Sequence, residues 1–327
     1  YILADNGIQV VEKATGIKKE LYSTINGLPD DKLTSIYLSE KLGDLWIGTA
    51  ESGLYRLSLK DGKAKAFFKS RDENENSISS IAGDNRKIWT STKNGIFQFD
   101  LESSGRKHFT VSNGALPHND IKQVYLDNEN RIWFSTLSDD LYYLTENGGQ
   151  RANLLTMGMG FEFRALAKGK NGDIWAATYG NGVMHITADS VYFITTETGL
   201  KSKYCYSILL DNEENVWVGH RQGFSRIRME GNDHLIRTYG PEEGFLGEAN
   251  PNAVFLDYNG CVLLGTTKEM VVYDQRKDYE ELSPPQVNVT AITFIDEVDE
   301  GEIIPFSEKI VMPYSNYKLR IEFVGIS

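Results

Sequence analysis

The sequence has only two cysteines, Cys205 and Cys261, in 327 residues. Two cysteines exclude a disulfide-dense scaffold and a zinc site built from cysteines, but they leave a single disulfide open. No apolar run approaches the roughly 20 residues of a membrane-spanning helix. Basic residues are in the minority, with 34 Lys and Arg against 46 Asp and Glu and a net charge of −12. Because no basic stripe is present, the sequence does not indicate a nucleic-acid binder.

The sequence has ample material for a folded core. Hydrophobic residues make up 40% of the chain and aromatic residues 11%. Charged residues make up 24%, which is too few for a disordered chain. The length of the chain is near twice that of a common single domain. It is compatible with one large β-repeat domain followed by a fragment of another.

Five tryptophans mark an internal repeat of 42 to 44 residues: Trp46, Trp89, Trp133, Trp175 and Trp217. Each begins a similar stretch, such as Trp46-Ile47-Gly48-Thr49, and residues 1–4 and 263–266 are further copies without Trp. A glycine before an apolar residue follows six or seven positions later at Gly53, Gly95, Gly182 and Gly223. Two β-prone runs joined by glycine are typical of a hairpin. We interpret the tryptophans as core, with a small residue two positions on leaving room for a neighbouring ring.

Four short β-prone runs in each repeat predict an all-β fold, a seven-bladed β-propeller whose first blade is incomplete. We count six four-strand units between about residue 17 and residue 274, and two further strands in the first eleven residues. A start in mid-blade leads us to expect a piece of a longer protein. After Asp274 the repeat stops, Ser283-Pro284-Pro285 indicates a linker, and residues 287–294 and 318–323 alternate as half-buried strands do.

The repeat resembles the two-component-regulator propeller repeat. The motif is carried by Gly27-Leu28-Pro29, Gly48-Thr49 and Gly53-Leu54, and it recurs in residues 114–133 and 199–219. Pro313-Tyr314-Ser315-Asn316-Tyr317 and the following Leu319–Phe323 resemble the start of the tyrosine-rich, Ig-like β-sandwich that follows such propellers. The resemblance therefore implies a propeller over residues 1–281 and the beginning of a β-sandwich over residues 282–327.

The same resemblance implies a function. Such domains are the periplasmic sensors of hybrid two-component systems in Bacteroidetes, where they bind oligosaccharides and control glycan-utilisation genes through a transmembrane histidine kinase. By that resemblance the partners are an oligosaccharide, an upstream propeller of the same polypeptide and a second copy in a homodimer, and no nucleic acid is bound by this fragment. Neither a propeller glycan hydrolase or lyase nor a protein-interaction propeller is excluded by the residues.

The acidic turns at residues 127–130 and 211–214 superficially resemble calcium loops, but they are too short for an EF-type site. Turn chemistry explains them better. The histidines form no metal motif, no carboxylate pair is singled out by its spacing, and no nucleophile elbow occurs. The sequence therefore predicts no catalytic residue, no metal and no cofactor.

The longest loops all open on one end of the predicted propeller, where recognition residues are commonly placed. Sugar hydroxyls are bound by amides, carboxylates and arginine, and sugar C–H faces by aromatic rings. Ten candidates for ligand binding lie on that end: His118, Asn119, Phe161, Arg164, Tyr179, Asn181, Tyr204, Arg221, Phe245 and Asn250. Binding at the edge between propeller modules is the alternative that the resemblance leaves open.

Overall fold

A computed structural model describes the chain except residues 5, 85, 128–129, 137–140, 146–147, 152–160, 188, 232, 278–285, 296–299, 304–317 and 327. The chain divides into two compact units, Tyr1–Gln275 and Arg276–Ser327. The predicted linker at residues 283–285 and the tyrosine-rich motif at residues 313–317 lie outside the described residues.

The first unit is a seven-bladed β-propeller, as predicted. Blade 1 contains β1 (Ile2–Ala4), β2 (Gly7–Val11) and β3 (Lys18–Tyr22). Blade 2 contains β4 (Leu33–Ser39), β5 (Asp44–Thr49), β6 (Leu54–Ser58) and β7 (Lys63–Phe68). Blade 3 contains β8 (Ile78–Gly83), β9 (Lys87–Thr92), β10 (Gly95–Asp100) and β11 (Arg106–Phe109). Blade 4 contains β12 (Ile121–Leu126), β13 (Ile132–Thr136), β14 (Leu141–Thr145) and β15 (Gly148–Arg151).

The remaining blades follow the same plan. Blade 5 contains β16 (Phe163–Lys168), β17 (Ile174–Thr178), β18 (Val183–Ile186) and β19 (Val191–Ile194). Blade 6 contains β20 (Cys205–Leu210), β21 (Val216–His220), β22 (Gly223–Glu230) and β23 (Asp233–Tyr239). Blade 7 contains β24 (Ala249–Leu256), β25 (Cys261–Thr266) and β26 (Met270–Asp274). One helical turn, α1 (Glu73–Asn76), and 3-10 turns at Thr24–Asn26, Thr196–Thr198, Pro241–Glu243 and Gln275–Lys277 complete the elements.

The strands group into blades differently from the prediction. Lys18–Tyr22 was assigned to the first complete unit, but it pairs with β2 and is the third strand of blade 1. The same one-strand shift applies to every later blade, so among the described residues five blades have four strands and two blades have three. The physical reason is that the third and fourth strands are hairpin partners, whereas the long loops cross from one blade to the next.

The first strands of neighbouring blades lie side by side from β4 through β24, which places them around the propeller axis. An ion pair between Lys13 of blade 1 and Asp257 of blade 7 joins the two ends of the ring. A side-chain contact therefore connects blade 1 with blade 7, in addition to the packing between consecutive blades.

The tryptophans are core residues, and four of the five are at most 8% exposed. The small residue two positions later leaves room for the next blade. A Cβ at Gly48 would lie 2.7 Å from Ile78 Cγ2, and a Cβ at Gly219 would lie 2.9 Å from Ala249 Cβ. Ile78 and Ala249 begin the first strand of the next blade. The Cβ at Gly219 would also lie 2.9 Å from the Phe224 ring, so there the space is shared by the approaching blade and a neighbouring ring.

The repeated glycine is required by its backbone and by its surroundings. Gly53 has φ +89, and a Cβ there would overlap the carbonyl oxygen of Phe68 at well under 3.0 Å. Gly43 also has a positive φ, +65, but a Cβ there would meet nothing within 4 Å. A comparison of the two positions therefore separates the cost of backbone strain from the cost of steric overlap.

Gly53→Ala is therefore expected to lower the free energy of unfolding by about 2 kcal/mol more than Gly43→Ala, because only Gly53 adds a steric overlap to the unfavourable φ. Urea unfolding of the two variants measures the difference. Equal costs would contradict the assignment of a close backbone approach at Gly53.

The acidic turns hold tryptophan side chains, in agreement with the turn interpretation. Asp211 accepts hydrogen bonds from Trp217 Nε1 at 2.9 Å and from the backbone N–H groups of Glu213 and Asn215. In blade 4 Asp127 accepts from Trp133 Nε1 at 2.8 Å. In the part of the chain that the structure describes, no group of three or more His, Cys, Asp or Glu could hold a metal ion.

His220 replaces, in blade 6, a threonine that other blades carry after the tryptophan motif. Thr49 and Thr178 donate to the carbonyls of Gly53 and Gly182, whereas His220 bonds to Ser225 Oγ and accepts from the backbone N–H of Gln222. The imidazole is 0% exposed, and burial lowers the pKa of His220 from 6.5 to about 4. The ring is therefore neutral at pH 7.

Because the unfolded chain takes up this proton at higher pH than the folded chain does, stability should fall as the pH falls from 6.5 towards 4. We expect His220 to account for a loss of about 2 kcal/mol between pH 7 and pH 5. His220→Thr, which restores the residue of the other blades, should remove that part of the pH dependence in urea unfolding. An unchanged slope would show that the ring is not the titrating group.

The second unit contains one described sheet. Its strands are β27 (Gln286–Ile295), β28 (Glu300–Ile303) and β29 (Lys318–Ile326), in the order β28-β27-β29. Both predicted tail strands are present and pair antiparallel, with Ile292 opposite Ile321. The assignment of residues 282–327 to an Ig-like β-sandwich stays a prediction. Cys205 and Cys261 are both buried and are not joined to each other, so the disulfide left open by the sequence is absent.

Candidate functional site

One end of the propeller carries both the long loops between blades and the hairpins between the second and third strands. We call this end the loop face. The two kinds of loop are joined by backbone hydrogen bonds, from Gly95 N to Asn119 O at 2.7 Å, from Gly182 N to Lys203 O at 2.9 Å and from Thr267 N to Glu248 O at 2.9 Å. A site built there stands on a rigid base.

The first strands of blades 2 to 7 each carry an irregularity in register where they leave the loop face. The register shifts between the first and third residues of the strand and leaves Thr34, Ser79, Lys122, Arg164 and Tyr206 out of the ladder in blades 2 to 6. In blade 7 the interruption runs from Ala249 to Val254. Bulges re-aim side chains and are frequent beside functional sites. Five equivalent positions around the axis are therefore free to carry different side chains.

Arg164 and Tyr206 belong to a group of aromatic and charged side chains on this face. The Tyr179 ring lies 4.9 Å from the Tyr204 ring and 6.3 Å from the Tyr206 ring. The Arg164 guanidinium lies over Tyr179, 4.7 Å from the ring centroid. A backbone bridge between Tyr179 and Tyr204 fixes the two rings relative to each other. Tyr179 is nevertheless 42% exposed, so part of the residue can be reached by a ligand.

Charged side chains frame the rings. Arg164 pairs with Glu162, and Arg221 Nε lies 3.5 Å from Glu248 Oε1. Lys203 Nζ lies 5.6 Å from the Tyr204 centroid. We call these eight residues of blades 5 to 7 the tyrosine patch: Glu162, Arg164, Tyr179, Lys203, Tyr204, Tyr206, Arg221 and Glu248.

The tyrosine hydroxyl of Tyr206 stays protonated in this setting. Partial burial, followed by the charge of Glu248, raises the pKa of Tyr206 above its ordinary value of 10. A neutral phenol both donates and accepts hydrogen bonds. The patch therefore combines ring faces with donors and acceptors, which is the chemistry that a carbohydrate requires.

The structure brings four of the ten predicted residues together: Arg164, Tyr179, Tyr204 and Arg221. Phe161 and Phe245 are each 6% exposed, and their rings pack in the core, which removes them from the exposed set. His118 is exposed on the loop between β11 and β12. The roles predicted for the exposed residues stay predictions.

Three amides of the predicted set lie on the loop face outside the patch. Asn119 Oδ1 accepts from Val111 N at 2.8 Å, and Asn250 Nδ2 donates to Thr266 O at 2.8 Å, so both side chains hold loops in place. The backbone N–H of Asn181 donates to Thr178 Oγ1 at 3.2 Å.

Sequence reasoning missed Glu162, Lys203, Tyr206 and Glu248. The signal for Tyr206 was present, because Cys205-Tyr206-Ser207-Ile208 matches Phe163-Arg164-Ala165-Leu166. Aligning the first strands of all repeats would have marked the second residue of each. No local signal marks Glu162 or Glu248, which enter the patch only because three blades meet there.

Residues 115–138 match the family model described as Two component regulator propeller. This segment contains β12 and β13 of blade 4. No protein with a curated description matches the sequence.

Solved structures with the same fold come from proteins of different function. The extracellular domain of the putative hybrid two component system BT3049 from B. thetaiotaomicron is 22% identical with a TM-score of 0.71, and the match covers 93% of this chain and 41% of that one. Virginiamycin B lyase from Staphylococcus aureus is 17% identical with a TM-score of 0.62, over 80% of this chain and 85% of that one. PorZ, a surface component of the type-IX secretion system of Porphyromonas gingivalis, is 14% identical with a TM-score of 0.57, over 90% and 51%.

These likenesses show the β-propeller fold. The chain spans 41% of the length of the first structure, so its match concerns a part of that domain. Among the described residues, no helix is long and apolar enough to cross a membrane.

Proposed function

We propose that this chain is the non-catalytic, ligand-sensing propeller of a hybrid two-component system and that it binds an oligosaccharide at the tyrosine patch. The observation that supports this most directly is the match of residues 115–138 to the two-component-regulator propeller model, in a chain where similar motifs recur around residues 27–54 and 199–219. The fold shared with an extracellular domain of such a system agrees with it.

The proposal includes a place and a route for the signal. The chain is periplasmic, as the outer part of an inner-membrane protein, and ligand binding changes the relation between two protomers. The change passes through residues 282–327 to a transmembrane histidine kinase that controls glycan-utilisation genes. The partners are the oligosaccharide, an upstream propeller and a second protomer.

The test is a calorimetric titration of the chain against a panel of oligosaccharides, followed by mass spectrometry of the mixtures. Saturable binding with every sugar intact supports the sensor. Cleaved sugar would instead favour a propeller hydrolase or lyase. Virginiamycin B lyase is an example of an enzyme with a similar fold. If no oligosaccharide of the panel binds, the result would favour a propeller that binds protein.

A further inference from the structure

We propose that the tyrosine patch selects neutral oligosaccharides and discriminates against those carrying uronate or sulfate groups. This inference rests on the proposed function, since it names the ligand class of the same site. It follows from the way the two arginines of the patch are already engaged.

Arg164 is held on both its edge and its face. Its guanidinium pairs with the Glu162 carboxylate, two residues before it, and lies 4.7 Å from the Tyr179 centroid. An anionic sugar that approached Arg164 would also meet the Glu162 charge beside it. Like charges in such a position disfavour the anionic ligand.

Arg221 repeats the arrangement on the other side of the rings. Its Nε lies 3.5 Å from Glu248 Oε1, and Glu248 comes from the loop that precedes blade 7. After partial burial, the charge of Glu248 also contributes to the raised pKa of Tyr206. Both guanidinium groups thus reach the ligand with a carboxylate beside them.

An arginine beside a glutamate is complementary to a hydroxyl group. Each sugar hydroxyl both donates and accepts, so it can accept from the guanidinium and donate to the carboxylate at the same place. A uronate or sulfate oxygen only accepts, and it leaves the glutamate without a donor while it adds a repelling charge. The two pairs therefore distinguish hydroxyls from anionic groups.

The remaining charges do not reverse this preference. Lys203 is exposed, with its Nζ 5.6 Å from the Tyr204 centroid, and it forms no ion pair with any other residue that the structure describes. The whole chain carries a net charge of −12, which repels polyanions at long range. The attraction of one solvated lysine does not outweigh the repulsion from this net charge, so a neutral ligand is favoured.

The experiment compares maltohexaose, cellohexaose and mannohexaose with the C6-oxidised, uronate form of each, by calorimetry at constant ionic strength. We expect the neutral form to bind at least about tenfold more tightly than its oxidised form. In the double variant Glu162→Gln/Glu248→Gln the ratio should fall below about threefold, because the repelling carboxylates are gone.

The control is Glu102→Gln. Glu102 forms an exposed pair with Arg86 at 3.4 Å on the opposite end of the propeller, and its loss should leave the ratio unchanged. A preference for the oxidised sugars, or a ratio unmoved in the double variant, overturns the neutral selectivity while the sensor proposal stands. If neither form of any sugar binds, the proposed function itself fails.

Discussion

Replacing Tyr179 and Tyr204 together by alanine is expected to weaken oligosaccharide binding about a hundredfold, or about 2.7 kcal/mol. The two rings lie 4.9 Å apart and supply the open aromatic surface of the patch, and each stacked ring is worth on the order of 1 to 1.5 kcal/mol. Because Tyr179 is 42% exposed, its loss should leave the thermal midpoint nearly unchanged. Calorimetric titration and a melting curve on the same preparation measure both effects.

The matched control is Tyr258→Ala. Tyr258 is 93% exposed in the turn between β24 and β25, on the end of the propeller opposite the loop face. Its removal should not change the affinity. Full affinity in the Tyr179/Tyr204 double variant would mean that the ligand binds elsewhere, including the edge between propeller modules.

The largest effect on stability is expected for Asp211→Ala, about 4 kcal/mol of unfolding free energy. Asp211 is 3% exposed, and its loss leaves Trp217 Nε1 and the backbone N–H of Asn215 without this acceptor, while the Asn215 amide keeps only a 3.5 Å contact to Glu213 Oε2. Unsatisfied buried donors cost roughly 1 to 3 kcal/mol each, and several are created at once.

Asp84→Ala provides the comparison, because Asp84 occupies the equivalent turn in blade 3, and among the described residues its side chain accepts from the backbone N–H groups of Arg86 and Lys87 but from no tryptophan. It should cost about 1 kcal/mol. Urea unfolding of both variants measures the two losses in unfolding free energy. Similar costs for the two aspartates would contradict the view that the turn stabilises the blade through its tryptophan.

The sequence was sufficient for the architecture because the repeat combines two independent signals. A buried tryptophan every 42 to 44 residues set the number of blades, and glycines such as Gly53 marked the hairpins. The grouping of strands was wrong by one because β-propensity does not tell a hairpin from a crossing loop. Loop length does, and the stretch from Ser23 to Asp31 is too long for a tight hairpin turn.

The site was only partly predictable. Arg164, Tyr179, Tyr204 and Arg221 were chosen for residue type and loop position, and they lie together on the loop face. Phe161 and Phe245 satisfied the same criteria but are buried, since exposure of an aromatic residue in a loop depends on how neighbouring blades pack. Glu162 and Glu248 could not be identified from the sequence, because their ion pairs with Arg164 and Arg221 are visible only in the structure.

The central claim is that a sugar is bound on the tyrosine patch, and a crystal structure of the chain with the oligosaccharide selected by titration tests it most directly. We expect a sugar ring stacked on Tyr179 or Tyr204, with hydroxyl groups between the Arg164–Glu162 and Arg221–Glu248 pairs. A sugar bound on any other surface, with the patch empty, would contradict the account.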